Sequence, residues 1–169
     1  KKKVEPAIRY AEVLLIYAEA LNELNGQYDI PSWDGNKTHI IKRDINEMKK
    51  GIRPIRIRAG VPDYTQEEYD DPIEFRKKLK RERQIELMGE GHRYFDLRRW
   101  CDAPAEESTP IYGCNVYCTK AAAASFHTPV EVPSLRNIFS LKMWFWPINP
   151  TELRRNKNLS QNPGWRDPE

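Results

Sequence analysis

The sequence of 169 residues has no long hydrophobic run. A helix that crosses a bilayer needs about 20 consecutive apolar residues, whereas the most apolar stretch, 11–21, is interrupted by Glu12 and Glu19. Lys1–Lys3 is not followed by the apolar segment and small-residue cleavage site of a signal peptide. We therefore expect no membrane-spanning or leader segment within these residues.

Several catalytic motifs are missing as well. The sequence contains no nucleophile elbow, phosphate-binding loop, dinucleotide-binding glycine motif or H-E-x-x-H zinc motif. Its three cysteines, Cys101, Cys114 and Cys118, are unlike a disulfide framework, although one bridge with a free thiol stays open. Cys114 and Cys118 near His127 are spaced more loosely than usual zinc ligands. We expect buried or bridged cysteines, no metal and no cofactor.

The composition limits both the partners and the core. The net charge is +3, and no basic run is longer than three residues, as at Lys1–Lys3. This pattern gives no basic surface of the kind that binds nucleic acid. The residues are 39% apolar and 31% charged, and 13 of them are proline. We therefore predict a core that is thin for this length, much irregular structure, and a single region that is a piece of something larger.

A first amphipathic helix is predicted over 6–25. Pro6 suits its first position and Gly26 the position after its end. Small alanines on the buried face would let a neighbouring helix come close. The turn-forming residues of 27–36 predict a loop after it.

A second, shorter helix is predicted from Thr38 to Lys49, because isoleucines and a methionine recur there at helical spacing. Gly51 and Pro54 would end it. The following residues, 52–63, are expected to form a basic connector.

A third helix should open at Asp71, which can cap it, with Pro72 in the first turn and Glu74 completing a capping box. We expect it to run into the charged segment 81–100. The chain after that segment should be mainly loop with short helices or a small hairpin, and its best candidate for a strand is 140–148.

If the third helix continues without a break, Glu82, Glu86 and Arg93 lie on its apolar, inward stripe. A buried carboxylate needs a partner, and the guanidinium fork of arginine satisfies both of its oxygens. Gly89 and Gly91 would then be tolerated because another backbone passes close to them.

We hypothesise that Glu82 and Glu86 bind arginines of neighbouring elements and tie the connector to this helix. Candidate partners on other segments are Arg9, Arg56 and Arg58. On this view Glu86→Ala would cost roughly 3–5 kcal/mol by leaving a buried arginine without its partner. The alternative is a glycan-cleaving enzyme that uses the same two carboxylates, but arginine neighbours are the wrong environment for a general acid, so we predict no catalytic residue.

Four blocks of the sequence, taken in order, resemble the C-terminal part of the SusD/RagB family. They are 9–26, 56–60, 82–100 and 147–165. The third block has the pattern ER-x-x-E-L, E-G-x-R and D-L-x-R-W, and the last has N-x-x-L-x-Q-N-P-G-W. The family is longer than these blocks require, so the resemblance implies that the chain is a C-terminal fragment.

The resemblance implies a mainly α fold of TPR-like helical hairpins with long irregular loops and little strand. Members of the family are non-catalytic, lipid-anchored proteins on the outer-membrane surface. They bind glycans, or peptides in RagB-type members, and partner a SusC-like TonB-dependent transporter. Membrane contact would come only through an N-terminal anchor that is not among these residues. The motif positions are expected to define the fold, and they are Glu82, Arg83, Glu86, Arg93, Asp96, Arg99 and Trp100.

Aromatic residues are the candidate ligand contacts, because flat rings stack on sugars. Trp33, Tyr112 and Tyr117 lie in polar, loop-like stretches and could form such a platform. The alternative is that they pin loops to the body of the protein. Four other tryptophans lie in matching or hydrophobic contexts and are expected in the core, namely Trp100, Trp144, Trp146 and Trp165.

Overall fold

The computed structural model describes residues 8–166, and the chain is divided into two units, Lys1–Arg93 and Tyr94–Glu169. The helices are α1 (Tyr10–Asn22), α2 (Ile45–Arg58), α3 (Gln66–Asp70), α4 (Pro72–Glu86), α5 (His92–Arg99), α6 (Ala103–Glu106) and α7 (Pro150–Arg155). The strands are β1 (Tyr28–Pro31), β2 (Thr38–Ile41), β3 (Pro110–Cys114) and β4 (Pro129–Arg136). Short 3-10 helices span Lys120–His127 and Leu141–Trp144. The prediction of a mainly helical protein is confirmed, and the prediction of a single region stays a prediction.

Helix α1 is shorter than predicted. It ends at Asn22, before the predicted end at residue 25, and its predicted start at Pro6 lies outside the described residues. The buried side chain of Asn22 donates to the carbonyl of Pro72 at 3.0 Å and accepts from the guanidinium of Arg43. Asn22 therefore holds the end of α1 against the start of α4.

The prediction for the second helix is wrong at both ends. Thr38–Ile41 is strand β2, which pairs antiparallel with β1, so a hairpin also replaces most of the predicted loop 27–36. Helix α2 begins after Asp44, whose carboxylate accepts from the amide of Glu47, and it continues through Gly51 and Pro54. The expected connector is therefore mostly helix.

Burial explains why α2 passes through Pro54. A proline inside a helix costs about 3 kcal/mol, but the buried stripe of Met48, Ile52 and Ile55 continues past that position at helical spacing. Each fully buried aliphatic side chain contributes about 1.5–3 kcal/mol. The sum of these contributions exceeds the proline penalty, and Pro54 itself lies on the exposed face.

Helices α1 and α2 form an antiparallel hairpin of the TPR-like kind. The hydroxyl of Tyr17 donates to Glu47, while Gly51, one turn further along α2, faces Ala18 and the preceding turn of α1. A Cβ built on Gly51 would lie 2.6 Å from the carbonyl oxygen of Leu14 and 2.9 Å from the Cβ of Ala18. The prediction that small residues allow a close helix contact is confirmed here.

Helix α4 starts at Asp71 and Pro72 as predicted, but the capping box expected with Glu74 is wrong. The Asp71 carboxylate accepts from the amides of Ile73 and Glu74 at 2.8 and 3.1 Å. The carboxylate of Glu74 is paired with Lys77 at 2.6 Å. A reciprocal capping box occurs instead at the start of α3, between Thr65 and Glu68.

The third helix runs into the segment 81–100 as predicted, but it does not continue through the segment, so the condition for a single inward stripe up to Arg93 is not met. Helix α4 ends at Glu86, and the chain turns before α5 because Gly89 and Gly91 have φ of +82° and +79°. Left-handed backbone at these positions favours glycine. A Cβ on either residue would meet nothing within 4 Å, so the predicted close backbone contact is wrong too.

The hydrophobic core of the first unit lies between α1, α2, α3 and α4. Its buried members are Leu15, Ala18, Leu21, Met48, Ile52, Ile55, Tyr69, Phe75, Leu79 and Leu87. Among the described residues of the second unit, the buried hydrophobic side chains are those of Leu97, Ala103 and Leu153. The prediction of a thin core therefore holds in the second unit.

The strands of the second unit are β3 and β4, which form an antiparallel hairpin with an irregularity next to Tyr112. The predicted strand over 140–148 is wrong, because Leu141–Trp144 is a 3-10 helix. Backbone carbonyls of this segment accept hydrogen bonds from side chains, which takes the place of a ladder to another strand.

We predict that Gly51→Ala destabilises the protein by about 1–2 kcal/mol in urea unfolding. Alanine favours a helix over glycine by about 1 kcal/mol, but the added methyl must displace the backbone of α1, and overpacking of this kind costs about 1–3 kcal/mol. Gly26→Ala is the matched control. The nearest neighbour of its Cβ would be 3.9 Å away, and we expect a change within about 0.5 kcal/mol. Equal effects would contradict the close contact.

Candidate functional site

Glu82 lies in the last turns of α4 and is largely buried. Its Oε2 atom accepts from Nη1 of Arg56 at 2.6 Å and from the hydroxyl of Tyr64 at 3.0 Å. The side chains of Glu82 and Arg56 are only 10% and 14% exposed. The guanidinium of Arg56 also lies 3.8 Å from the ring centroid of Tyr64, a cation–π contact. Burial, followed by the charge of Glu82, raises the pKa of Tyr64, so this hydroxyl stays a donor.

Glu86, one turn further along α4, is held by two arginines. Its Oε1 accepts from Nη1 of Arg9 at 3.0 Å, and its Oε2 accepts from Arg58. Arg9 also donates to the Glu86 carbonyl at 2.8 Å and forms a two-pronged pair with Glu90 at 2.6 and 3.0 Å. The hydrogen bond from Arg9 lowers the pKa of Glu90.

The pairing hypothesised for Glu82 and Glu86 is thus present, and the partners are the candidates predicted from sequence, Arg9, Arg56 and Arg58. Both carboxylates are engaged by guanidinium groups rather than facing an open groove. Each carboxylate is occupied by at least one guanidinium, which leaves little of it to face a substrate. The geometry fits a structural cluster better than glycoside hydrolysis. That this cluster defines the fold stays a prediction.

Of the remaining motif positions, Arg83 directly follows Glu82 on α4, and the others lie later, between residues 93 and 100. Arg83 is buried and Arg93 half-buried. Asp96 is buried and accepts from Arg99 at 3.0 Å. The guanidinium of Arg99 lies 4.9 Å from the ring centroid of half-buried Trp100. These contacts are compatible with a structural role, which stays a prediction.

The three aromatic residues predicted to contact a ligand are all exposed. Trp33 is 99% exposed in the β1–β2 turn, and Tyr117 is 93% exposed after β3. Tyr112 lies on β3 and is also exposed. The alternative, in which these rings pin loops to the body, does not fit Trp33 and Tyr117. Trp33 belongs to the first unit and the two tyrosines to the second.

The β1–β2 turn presents Trp33 on an ordered loop. The Asp34 carboxylate accepts from the hydroxyl of Ser32 and from the amide and side chain of Asn36. These hydrogen bonds lower the pKa of Asp34. These hydrogen bonds hold the backbone of the turn from which the exposed indole projects.

The prediction that four tryptophans lie in the core is only partly correct. Trp100, Trp144 and Trp165 are half-buried. Trp146, in contrast, is 68% exposed, and its neighbour Phe145 is 58% exposed, so the core prediction for Trp146 is wrong.

Phe145 and Trp146 belong to a segment, residues 142–148, that we term the aromatic ledge. Its backbone is held by side chains from the family-like block near the end of the chain. The indole N–H of Trp165 donates to the carbonyls of Lys142 and Phe145, both at 3.0 Å. Asn162 donates to the carbonyl of Trp146 at 2.6 Å.

The side-chain amide of Gln161 binds the end of the aromatic ledge both as a hydrogen-bond acceptor and as a donor. Its amide oxygen accepts from the N–H of Ile148 at 2.7 Å, and its amide nitrogen donates to the carbonyl of Ile148 at 3.0 Å. Arg98 holds the other side by donating to the carbonyl of Met143 at 3.1 Å. The ledge is therefore fixed by its backbone while its rings stay exposed.

An aromatic cleft of about 350 Å³ lies against the ledge. The residues of the cleft that matter here are Tyr94, Arg98, Glu107, Phe145, Trp146 and Trp165. The rings of Tyr94 and Trp146 meet edge to face with centroids 5.9 Å apart. Sequence reasoning missed this cleft. The usable signal was the row of polar side chains in the closing block, which are able to bind the backbone of another segment.

The cysteine prediction is wrong. All three cysteines are free, Cys101 and Cys114 are exposed, and Cys118 is half-buried. Over residues 8–166, no group of three or more histidine, cysteine, aspartate or glutamate side chains is arranged to hold a metal ion. Within the same described range, none of the helices has both the length and the apolarity needed to traverse a bilayer.

The helical hairpin, the acid–arginine cluster and the clamped ledge define a mainly α, TPR-like protein. A model of the SusD family matches residues 1–165, and the chain belongs to that family. It is 33% identical over 106 residues to a SusD-like protein from Formosa agariphila, which covers 62% of this chain and 18% of that protein. The crystal structure of a SusD-like protein from Bacteroides fragilis matches with a TM-score of 0.67 at 26% identity, over 94% of this chain and 25% of its own. The chain therefore spans a quarter or less of the length of these relatives.

We predict that Glu82→Ala costs about 3 kcal/mol in urea unfolding, because it leaves a largely buried arginine without its carboxylate. For Glu86→Ala we now expect a cost of about 1–2 kcal/mol, which is lower than the roughly 3–5 kcal/mol predicted from sequence. Arg9 keeps its pair with Glu90, and the side chain of Arg58 is 58% exposed. A cost for Glu82→Ala below about 1 kcal/mol would contradict its burial.

The control for this comparison is Glu74→Ala, which removes the exposed pair with Lys77 on the same helix. Surface pairs of this kind contribute little. We expect its unfolding midpoint to match that of the unmodified protein.

Proposed function

We propose that this protein is the nutrient-binding subunit of an outer-membrane uptake system, lipid-anchored at the cell surface, with a glycan as its ligand. Its partner would be a SusC-like TonB-dependent transporter, to which it would pass the captured ligand. The protein binds without cleaving. A peptide ligand, as in RagB-type members, is the second candidate.

The observation that supports this proposal most is the match of the SusD family model across residues 1–165. The two relatives described above carry the SusD-like name as well. Exposed aromatic rings on ordered segments agree with a glycan ligand, since a ring offers a flat apolar face beside polar groups. The arginine pairs on Glu82 and Glu86 argue against hydrolysis.

Within this function we propose that Trp33, Tyr112 and Tyr117 contact the ligand. Each is exposed, so replacing it removes no core packing. We expect single alanine substitutions to weaken glycan binding several-fold while leaving the unfolding midpoint unchanged. Met88→Ala is the control, because Met88 is an exposed apolar side chain without a ring. Unchanged affinity in all three variants would remove these residues from the site.

The experiment that tests the function is affinity electrophoresis of the purified protein in gels containing soluble glycans, followed by calorimetry and a reducing-end assay. We expect retarded migration and no release of reducing ends. If reducing ends were released and Glu86→Gln abolished that release, the protein would be an enzyme and the proposal wrong. Calorimetric binding of oligopeptides, with no binding of any glycan, would support the second candidate instead.

A further inference from the structure

The second unit carries an aromatic cleft that none of the roles considered so far requires. Its rings are exposed, yet the backbone beneath them is more firmly held than that of an ordinary surface loop. Five of the seven residues of the ledge are bound through their backbone by side chains from outside it. The binding groups are the side chains of Arg98, Trp165 and Asn162 and both the oxygen and the nitrogen of the Gln161 amide. Such preorganisation lowers the entropy that ligand binding must otherwise overcome.

Close packing at the back of the ledge adds to this rigidity. Gly164 has φ of +85°, and a Cβ at that position would lie 2.7 Å from the Cβ of Lys142. The ammonium of Lys142 lies 4.7 Å from the ring centroid of Trp165. The closing block therefore lies directly against the ledge, and it holds Phe145 and Trp146 outward.

The polar groups of the cleft select the chemistry of its ligand. Arg98 donates to both oxygens of Glu107 at 3.1 and 3.3 Å, to the carbonyl of Tyr94 at 3.0 Å and to that of Met143. Its guanidinium also stacks 3.4 Å from the ring centroid of Tyr94. A guanidinium with this many partners gives no strong site for an anion. The charge of Glu107 is in turn balanced by Arg98, which weakens the attraction for a cation.

Glu107 nevertheless keeps acceptor capacity. Its side chain is 28% exposed, and a carboxylate has about four lone-pair sites, of which Arg98 occupies two. A wholly apolar ligand would cover this carboxylate without a hydrogen bond, which is unfavourable. The cleft thus fits a neutral ligand with an apolar face for the indole and hydroxyl donors for the carboxylate.

We infer that the aromatic cleft is a binding subsite for a neutral oligosaccharide. One pyranose ring lies on the exposed face of Trp146, beside Phe145, and its hydroxyls donate to Glu107. The volume of about 350 Å³ is at the small end of ligand sites, which suits one or two sugar rings rather than a long chain. This inference rests on the proposed function and names a place for the glycan within it.

The test is calorimetric titration of the protein with neutral hexaoses of glucose, mannose, xylose and N-acetylglucosamine, repeated with three variants. We expect Trp146→Ala to weaken the best-binding hexaose at least tenfold. Trp146→Phe keeps a ring at the position and should stay within threefold of the unmodified protein. Leu141→Ala is the matched control, because Leu141 is an exposed apolar residue just before the ledge, and its affinity should not change.

Phe145→Ala gives a second route to the answer if Trp146→Ala folds poorly by circular dichroism. It should weaken binding by at least threefold and leave the thermal midpoint unchanged. If a hexaose binds and neither alanine variant weakens it, the cleft is not the subsite, although the protein is still a glycan-binding subunit. If none of the hexaoses binds the unmodified protein, both the subsite and its glycan ligand are wrong.

Discussion

The carboxylates in the last turns of α4 bring three helices together at one end of the first unit. Because α1 runs antiparallel to both α2 and α4, its first residues lie beside the last residues of the other two. Arg9 reaches Glu86 from the start of α1, and Arg56 and Arg58 reach α4 from the last turn of α2. Arginine is also the favourable charge at a helix C-terminus, where carbonyl groups point outward. The hydrophobic core packs the helices together, and this cluster joins their ends by ion pairs.

The parts of this arrangement that follow a local rule could be predicted from sequence. Glu82 and Glu86 lie on the apolar stripe of α4, so their burial and their need for arginine follow from helical geometry. The cap at Asp71 is a short-range pattern, and so is the small residue on α1 that allows close contact. In each case the deciding residues lie within a few positions of one another.

Tertiary packing overrode local propensity elsewhere. Gly51 and Pro54 are helix breakers in isolation, yet Gly51 lies in the closest contact with α1 and the buried stripe of α2 continues past Pro54. Gly89 and Gly91 were assigned to a helix although their left-handed φ ends it. The difference between Gly51 and the pair Gly89 and Gly91 depends on whether a partner helix lies against the glycine, which a single sequence does not state. The ledge is a similar case. Trp146 is a large apolar residue of the kind found in cores, but contacts of its backbone with residues 161–165 hold it in an exposed position.

The donors that fix the ledge come late in the chain. A ribosome makes residues 142–148 before residues 161–165, so the carbonyls of the ledge lack three of their four partner side chains until the final turn of the second unit has been synthesised. The backbone of the ledge can therefore be held in this conformation only after residues 161–165 are present.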